Sequence, residues 1–285
     1  MSTRALYGVA VILAAGLAWG DTLVLKTGAR YSGTISRTAG GAVAIASAQG
    51  TREFPDDAVN WRLTTFTAPA NETAVRELLQ KKKYAEALPL LQRWESRYRN
   101  LPTKWYEEAL FRLGECYVNL QRADEAKQQF ERLLERFPRS RHRNEAETYL
   151  IDLQVAGQSG PELAARLQRL LDDPKSNARV RAKAHQGLGA LRLEGNDLRG
   201  ALEHYVHIIV LYGDVSELQE DAQEKVAQLY STLGRTNEAV FYYQQLLEAY
   251  PDSAAAAARK ERLAALRAAT TSPSTPTDKE TNDEK

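Results

Sequence analysis

Residues 110–138 read LFRLGECYVNLQRADEAKQQFERLLERFP. Apolar residues recur at helical spacing on both sides of a polar turn, the small residue Ala126 follows that turn, and Pro138 ends the second run. The stretch therefore predicts a helical hairpin. Gly114 and Ala126 are expected to face each other where the two helices approach closely, with Tyr117 and Phe130 filling the adjacent gap. Working outward, the same small residue recurs at Ala87, Ala126, Ala164, Ala201 and Ala239, at gaps of 39, 38, 37 and 38 residues. Similar words surround four of these anchors: Tyr84-Ala85-Glu86-Ala87, Ala123-Asp124-Glu125-Ala126, Leu198-Arg199-Gly200-Ala201 and Thr236-Asn237-Glu238-Ala239. Pro251 follows Ala239 at the distance at which Pro138 follows Ala126. One hairpin cannot bury its apolar face alone, so the rhythm predicts five hairpins stacked around a continuous core.

These positions resemble the tetratricopeptide repeat. The second repeat matches through Leu113-Gly114, Tyr117, Ala126, Phe130 and Pro138, and the fifth through Ala227, Tyr230, Gly234, Ala239, Tyr243 and Pro251. The fourth matches through Leu188-Gly189, Ala201 and Tyr205, and the first through Tyr84, Ala87 and Leu91. In the third, Gly157 to Pro161 replaces the usual turn. The likeness spans residues 71–269, and the phrase ERFPRSRHRNEA is similar to exported bacterial members of the Tol–Pal and outer-membrane-assembly type. It implies a mainly α chain, an α-solenoid whose concave face binds a protein or peptide. Carried over position by position, the lining would be Arg76 and Gln80, then Phe111, Glu115 and Asn119, then Tyr149 and Leu153, Lys183 and Gln186, and finally Asp221, Glu224 and Gln228. Members that clamp a terminal carboxylate place Lys and Asn where this chain has Phe111 and Glu115, so the resemblance does not extend to that ligand class.

Two shorter segments precede the repeats. Arg4, an apolar run from Ala5 to Leu17 and the small residues of Ala18-Trp19-Gly20 have the order of a secretory signal peptide over residues 1–20, cut between Gly20 and Asp21. Export, to the periplasm of a two-membrane bacterium, is the expectation. Residues 21–67 turn to Thr, Val, Ile and Gly, with alternation in Thr22–Lys26, Arg30–Thr38, Ala42–Ala46, Thr51–Phe54 and Val59–Leu63. Four or five short strands closing into a small barrel are expected there, resembling Sm-like or Src-homology-like barrels, with Trp61 as a core plug. Beyond the repeats assigned to 68–253, residues 254–269 predict a capping helix and 270–285 a disordered tail of Ser, Thr, Pro and charge.

Chemistry is sparse by comparison. With 38 basic and 37 acidic residues, the chain lacks the excess positive charge a nucleic-acid binder needs. One cysteine and four histidines are too few soft ligands for a disulfide scaffold or a structural zinc site. No phosphate loop, nucleophile elbow or His-Glu-x-x-His pair occurs, so no catalytic residue, cofactor or metal is assigned and the chain is read as a non-enzyme. His204 and His207 stand one helical turn apart, but a third ligand would have to come from elsewhere, and they are read as an ordinary half-exposed pair. Glu107-Glu108 and Asp172-Asp173 are read as helix-dipole or turn residues. Residues 68–143 hold 16 basic and 11 acidic residues, while 214–250 hold 2 basic and 7 acidic. Such polarity suits an acidic partner, peripheral envelope association, or self-assembly through oppositely charged ends, although charge runs are usually solvated surface. The expectation is an exported scaffold in envelope assembly or division, with a self-assembling structural protein as the alternative.

Overall fold

The computed structural model describes residues 20–157 and 160–271. The expected signal peptide, except Gly20, and the tail beyond Thr271 lie outside the described residues. Contacts divide the chain into two units, Met1–Ala146 and Glu147–Lys285.

The first unit opens with a four-stranded antiparallel sheet in the order β1 (Asp21–Val24), β2 (Arg30–Arg37), β3 (Val43–Ser47), β4 (Gly50–Phe54). Alternation sets its inner face: Leu23, Ile35, Val43 and Ile45 are buried with Val59 and Leu101, and Tyr31 and Phe54 pack on the rim. The barrel expected here does not close. β4 pairs only with β3, and the far edge of β1 meets two isolated bridges, Thr22–Thr65 and Leu25–Val59. The physical reason lies in the last two segments. Gly50–Glu53 are all exposed, so β4 has no apolar face to gain by closure. The expected fifth strand instead turns at Asn60, whose carbonyl accepts the amides of Leu63 and Thr64. Trp61 is half-buried, stacked on Phe66 at 6.4 Å with Arg37 over its ring, so it seals the margin of this core.

A buried carboxylate ties the sheet to the helices that follow. Asp21, 1% exposed, accepts the amides of Ile35 (2.8 Å) and Thr67 (2.9 Å) and pairs with Arg97. Arg97 also donates to the carbonyl of Ile35 at 2.6 Å. Those helices are α1 (Glu72–Gln80), α2 (Tyr84–Tyr98), α3 (Lys104–Asn119) and α4 (Ala123–Arg136), each packed on the next up to α4. Helix α5 (Arg143–Gly157) begins in the first unit and ends in the second.

The second unit continues with α6 (Pro161–Asp172), α7 (Ala178–Glu194), α8 (Leu198–Leu211), α9 (Ser216–Thr232), α10 (Thr236–Ala249) and α11 (Ala256–Thr271). Its cores overlap along the chain. Ile151 joins Leu163, Leu167, Val180 and Leu188; Ala182, Ala201, Tyr205 and Ala222 link α7, α8 and α9; Ala227, Tyr243, Leu246 and Leu263 link α9, α10 and α11. Nearest-neighbour burial of this kind is how helical repeats are held together. Arg259 of α11 is 2% exposed and pairs with Glu220 (2.8 Å) and Glu224 (2.6 Å), while Arg262 also reaches Glu224. Two of the seven acids of residues 214–250, Glu220 and Glu224, are thus paired by α11.

The period of the sequence has a local cause. Ala87, Ala126, Ala164, Ala201 and Ala239 each occupy the fourth position of an even-numbered helix from α2 to α10. Leu91, Phe130, Tyr205 and Tyr243 each occupy the eighth and are buried. Two residues before α2, α4, α8 and α10 the backbone turns left-handed, at Lys82 (φ 56°), Gln121 (59°), Asn196 (58°) and Gly234 (73°). One positive-φ residue reverses the chain and lets the next amide reach back to a free helix carbonyl, as Arg122 does to Tyr117 at 2.8 Å. The space above Gly114 is filled by the Phe130 ring, so the close approach expected between Gly114 and Ala126 is one of backbone against ring: a Cβ at Gly114 would stand 2.5 Å from Phe130 Cζ. Gly189 faces Tyr205 in the same way.

Candidate functional site

In the first unit a cleft of about 650 Å³ opens between α1, α2, α3 and the segment after α4. Val75, Leu79, Trp94 and Trp105 are its apolar lining. Trp94 and Trp105 meet edge to face, 5.9 Å between centroids at 81°, and Lys104 lies 4.5 Å above the Trp105 ring. The two indoles differ in one respect. Trp94 Nε1 donates to Asn71 Oδ1 at 2.8 Å, whereas Trp105 Nε1 is buried and meets no acceptor among the described residues. A buried donor left unpaired costs about 1–3 kcal/mol.

The opposite wall is charged and already organised. Arg112 donates to Glu108 (2.8 Å) and Glu115 (2.6 Å), and Glu108 also takes Arg141 and the His142 ring, the latter at 3.1 Å. Glu107 accepts the Ser140 hydroxyl at 2.5 Å. Burial would raise the Glu108 carboxyl, but the hydrogen bonds from His142, Arg112 and Arg141 prevail and hold it far below the ordinary carboxylate range. For Glu115 the balance is reversed: burial outweighs Arg112 and raises it. Glu107 lies in the first turn of α3, as a helix-dipole residue would, and both acids also line the cleft, where Glu108 joins α3 to the segment before α5. Within the basic stretch 68–143, Arg141 is paired, and His142 is buried with its ring stacked 4.0 Å from Phe111.

The residues expected to line one groove are distributed otherwise. Arg76 and Gln80 do line the cleft. Phe111 does not line a surface; it is 1% exposed, interior to the first unit between Phe130 and His142, because its helical face is the one turned to α4. Glu115 is held by Arg112, and the Asn119 amide is turned back on the Glu115 carbonyl at 2.8 Å. Tyr149 and Leu153 stand half-buried on the part of α5 that belongs to the second unit. There Lys183 pairs with Asp152 (2.8 Å), Gln186 donates to Asp221 (2.9 Å), and Gln228 donates to Glu224 (2.9 Å), which is also held by Arg259 and Arg262. The Lys183 and Gln186 contacts run between helices, whereas Gln228 and Glu224 are one turn apart on α9. What sequence reasoning missed is the pair Trp94 and Trp105, whose spacing carries no motif, and His185, which the fold brings to His204 and His207.

Stacked helix pairs with a small residue and a bulky residue at fixed positions define a helical-repeat protein. Residues 108–140 and 221–253 match the tetratricopeptide repeat family model, and the chain carries such repeats there. No curated protein matches the chain at a significant level. Among solved structures, MamA is similar at 18% identity over 67% of this chain and 96% of that one, with a TM-score of 0.46. TTC0263, a thermophilic TPR protein of Thermus thermophilus, is similar at 21% identity over 69% and 96%, with a TM-score of 0.42. BtubC (BKLC) from P. vanneervenii is similar at 16% identity over 74% and 84%, with a TM-score of 0.44. Among the described residues no helix is long and apolar enough to cross a membrane.

Proposed function

We propose that this chain is a non-enzymatic scaffold that holds a peptide segment of a partner protein in the cleft of its first unit. The carrying observation is a cleft with an apolar side, Val75, Leu79, Trp94 and Trp105, facing a charged one, beside which the Trp105 indole N–H is unpaired. An apolar side chain would fill the space beside Val75, Leu79 and Trp94, and a backbone carbonyl would take the Trp105 hydrogen bond. Lys104, Arg76 and the Glu108–Arg112–Arg141 network form a polar margin that restricts orientation. Helices fixed by burial on their neighbours present these groups already in place, which reduces the ordering cost of binding. The setting we propose is the bacterial periplasm, in envelope assembly or division. Its support is the order of charge, apolar run and small residues in positions 1–20, together with the likeness of ERFPRSRHRNEA to exported repeat proteins.

Peptides selected from a displayed library on the full chain test the cleft. Binding is then compared with Trp105→Phe, which keeps a large ring and deletes the N–H, and with Leu79→Glu, which charges the lining. Loss of the hydrogen bond should weaken binding roughly 5–150-fold, with circular dichroism confirming that both variants fold. Selected peptides that bind both variants as tightly as the parent rule out this site.

A further inference from the structure

Helices α7 and α8 are neighbours in the second unit, and three of the chain's four histidines stand on them. His204 and His207 share a face of α8, one turn apart. His185 comes across from α7. Its Nδ1 lies 3.0 Å from Nδ1 of His204, and its ring centroid is 5.3 Å from that of His204 and 5.0 Å from that of His207. One ring nitrogen from each of the three falls within 4.8 Å of the others. Among the described residues no other group of three His, Cys, Asp or Glu side chains is drawn together in this way. His185 is buried, at 8% exposure, while His204 and His207 are half-buried, so the cluster has an enclosed side and a side open to solvent.

Ordinary core packing leaves this arrangement unbalanced. Two Nδ1 atoms at 3.0 Å are satisfied only if one carries the proton and the other offers its lone pair. That accounts for His185 and His204, but Nδ1 of His207 is buried with no partner among the described residues. A buried ring nitrogen in a settled core is ordinarily paired. Arg192 faces His204 as a further positive group, with Glu203 and Asp197 offsetting it. Imidazoles converging from three positions are what a soft-to-borderline cation needs.

We propose that His185, His204 and His207 form a three-imidazole site for a divalent transition-metal ion of the zinc class, with its fourth position open to solvent. Metal–nitrogen distances of ~2.0–2.1 Å in tetrahedral geometry place ligand nitrogens about 3.3 Å apart. The closest pair, at 3.0 Å, is already near that value, and the widest separation closes by side-chain rotation of the two half-buried rings. An all-nitrogen donor set selects zinc, copper or nickel over magnesium and calcium. The bound ion would clamp α7 to α8. This site is independent of the peptide cleft, which lies in the other unit.

The test titrates zinc into the full, tag-free chain by calorimetry and follows cobalt(II) by its visible absorption. We expect one ion per chain. A hundredfold excess of zinc over its dissociation constant should raise the melting temperature by about 5–10 °C. His207→Gln and His204→Gln alter half-buried rings and are the variants expected to fold; His185→Asn serves as a third, checked by its metal-free melt. Each should weaken zinc binding by more than the ~10–100-fold that outer-shell changes cost. They should also remove the melting shift and the cobalt band. Absence of a one-to-one site, or a His204→Gln/His207→Gln chain that binds zinc like the parent, overturns the assignment.

Discussion

Replacing Gly114 by alanine drives a methyl group into the ring of Phe130. The new Cβ would stand 2.5 Å from Cζ and 2.8 Å from Cδ1 of that ring, against an ordinary carbon contact of about 3.5–4.0 Å. The ring has no room to retreat. Phe130 is fully buried, Phe111 lies 6.0 Å away, and Phe111 is itself buried with His142 stacked on it. Two effects compete. Alanine in a helix interior gains about 1 kcal/mol over glycine, while overpacking a closed site costs about 1–3 kcal/mol. An overlap of about 1 Å in a region without slack belongs at the upper end, so the net loss is about 1–2 kcal/mol, a fall of roughly 3–8 °C in melting temperature. Thermal melts followed by far-ultraviolet circular dichroism measure it. Phe130→Leu supplies the control: it vacates the space the methyl group needs, so the double variant should lose about 1 kcal/mol less than the two single losses summed. A Gly114→Ala chain that melts at or above the parent, or losses that simply add, would refute the reasoning. Gly189→Ala, whose Cβ would be 2.9 Å from Tyr205 Cε2, should cost less.

Three further outcomes are expected. Gln121→Gly relieves a left-handed residue that carries a side chain (φ 59°) and should stabilise by about 0.5–1 kcal/mol, read as a rise in denaturant midpoint. Burial pushes the Cys116 thiol up to about 12, so it should stay protonated and resist a thiol reagent in the native chain, reacting fully only in denaturant. Because the Glu108 carboxyl is depressed in the folded chain, its stabilisation is present above the unfolded value of about 4.3 and is lost as pH falls toward the folded value. Glu108→Gln should therefore cost about 2 kcal/mol at neutral pH, with the gap to the parent narrowing below about pH 4; a gap that stays constant on acidification contradicts the assigned hydrogen bonds.

The hairpin rhythm was legible because its causes are local. A polar turn, a small residue four positions into the next helix and a bulky one at the eighth are short-range demands of chain reversal and close packing. They recur at Ala126 and Phe130, at Ala201 and Tyr205, and at Ala239 and Tyr243. Strand positions were legible for the same reason, since alternation reports a buried face. Closure of the sheet was not, because it depends on which edge gains by pairing, and the exposed β4 gains nothing. The groove residues were carried over by repeat position, which does not say which face of α3 its neighbours cover; Phe111 proved to be inside.

Amino-acid order alone therefore determined that this chain builds helical hairpins after a short β segment, and the small residue that anchors the second helix of each. Tertiary structure decided the chemistry. Trp94 with Trp105, Glu108 with Arg141, and His185 with His204 and His207 become neighbours only when separate helices pack. Periodicity encodes which side of a helix is buried; it carries no information on what the facing helix presents there.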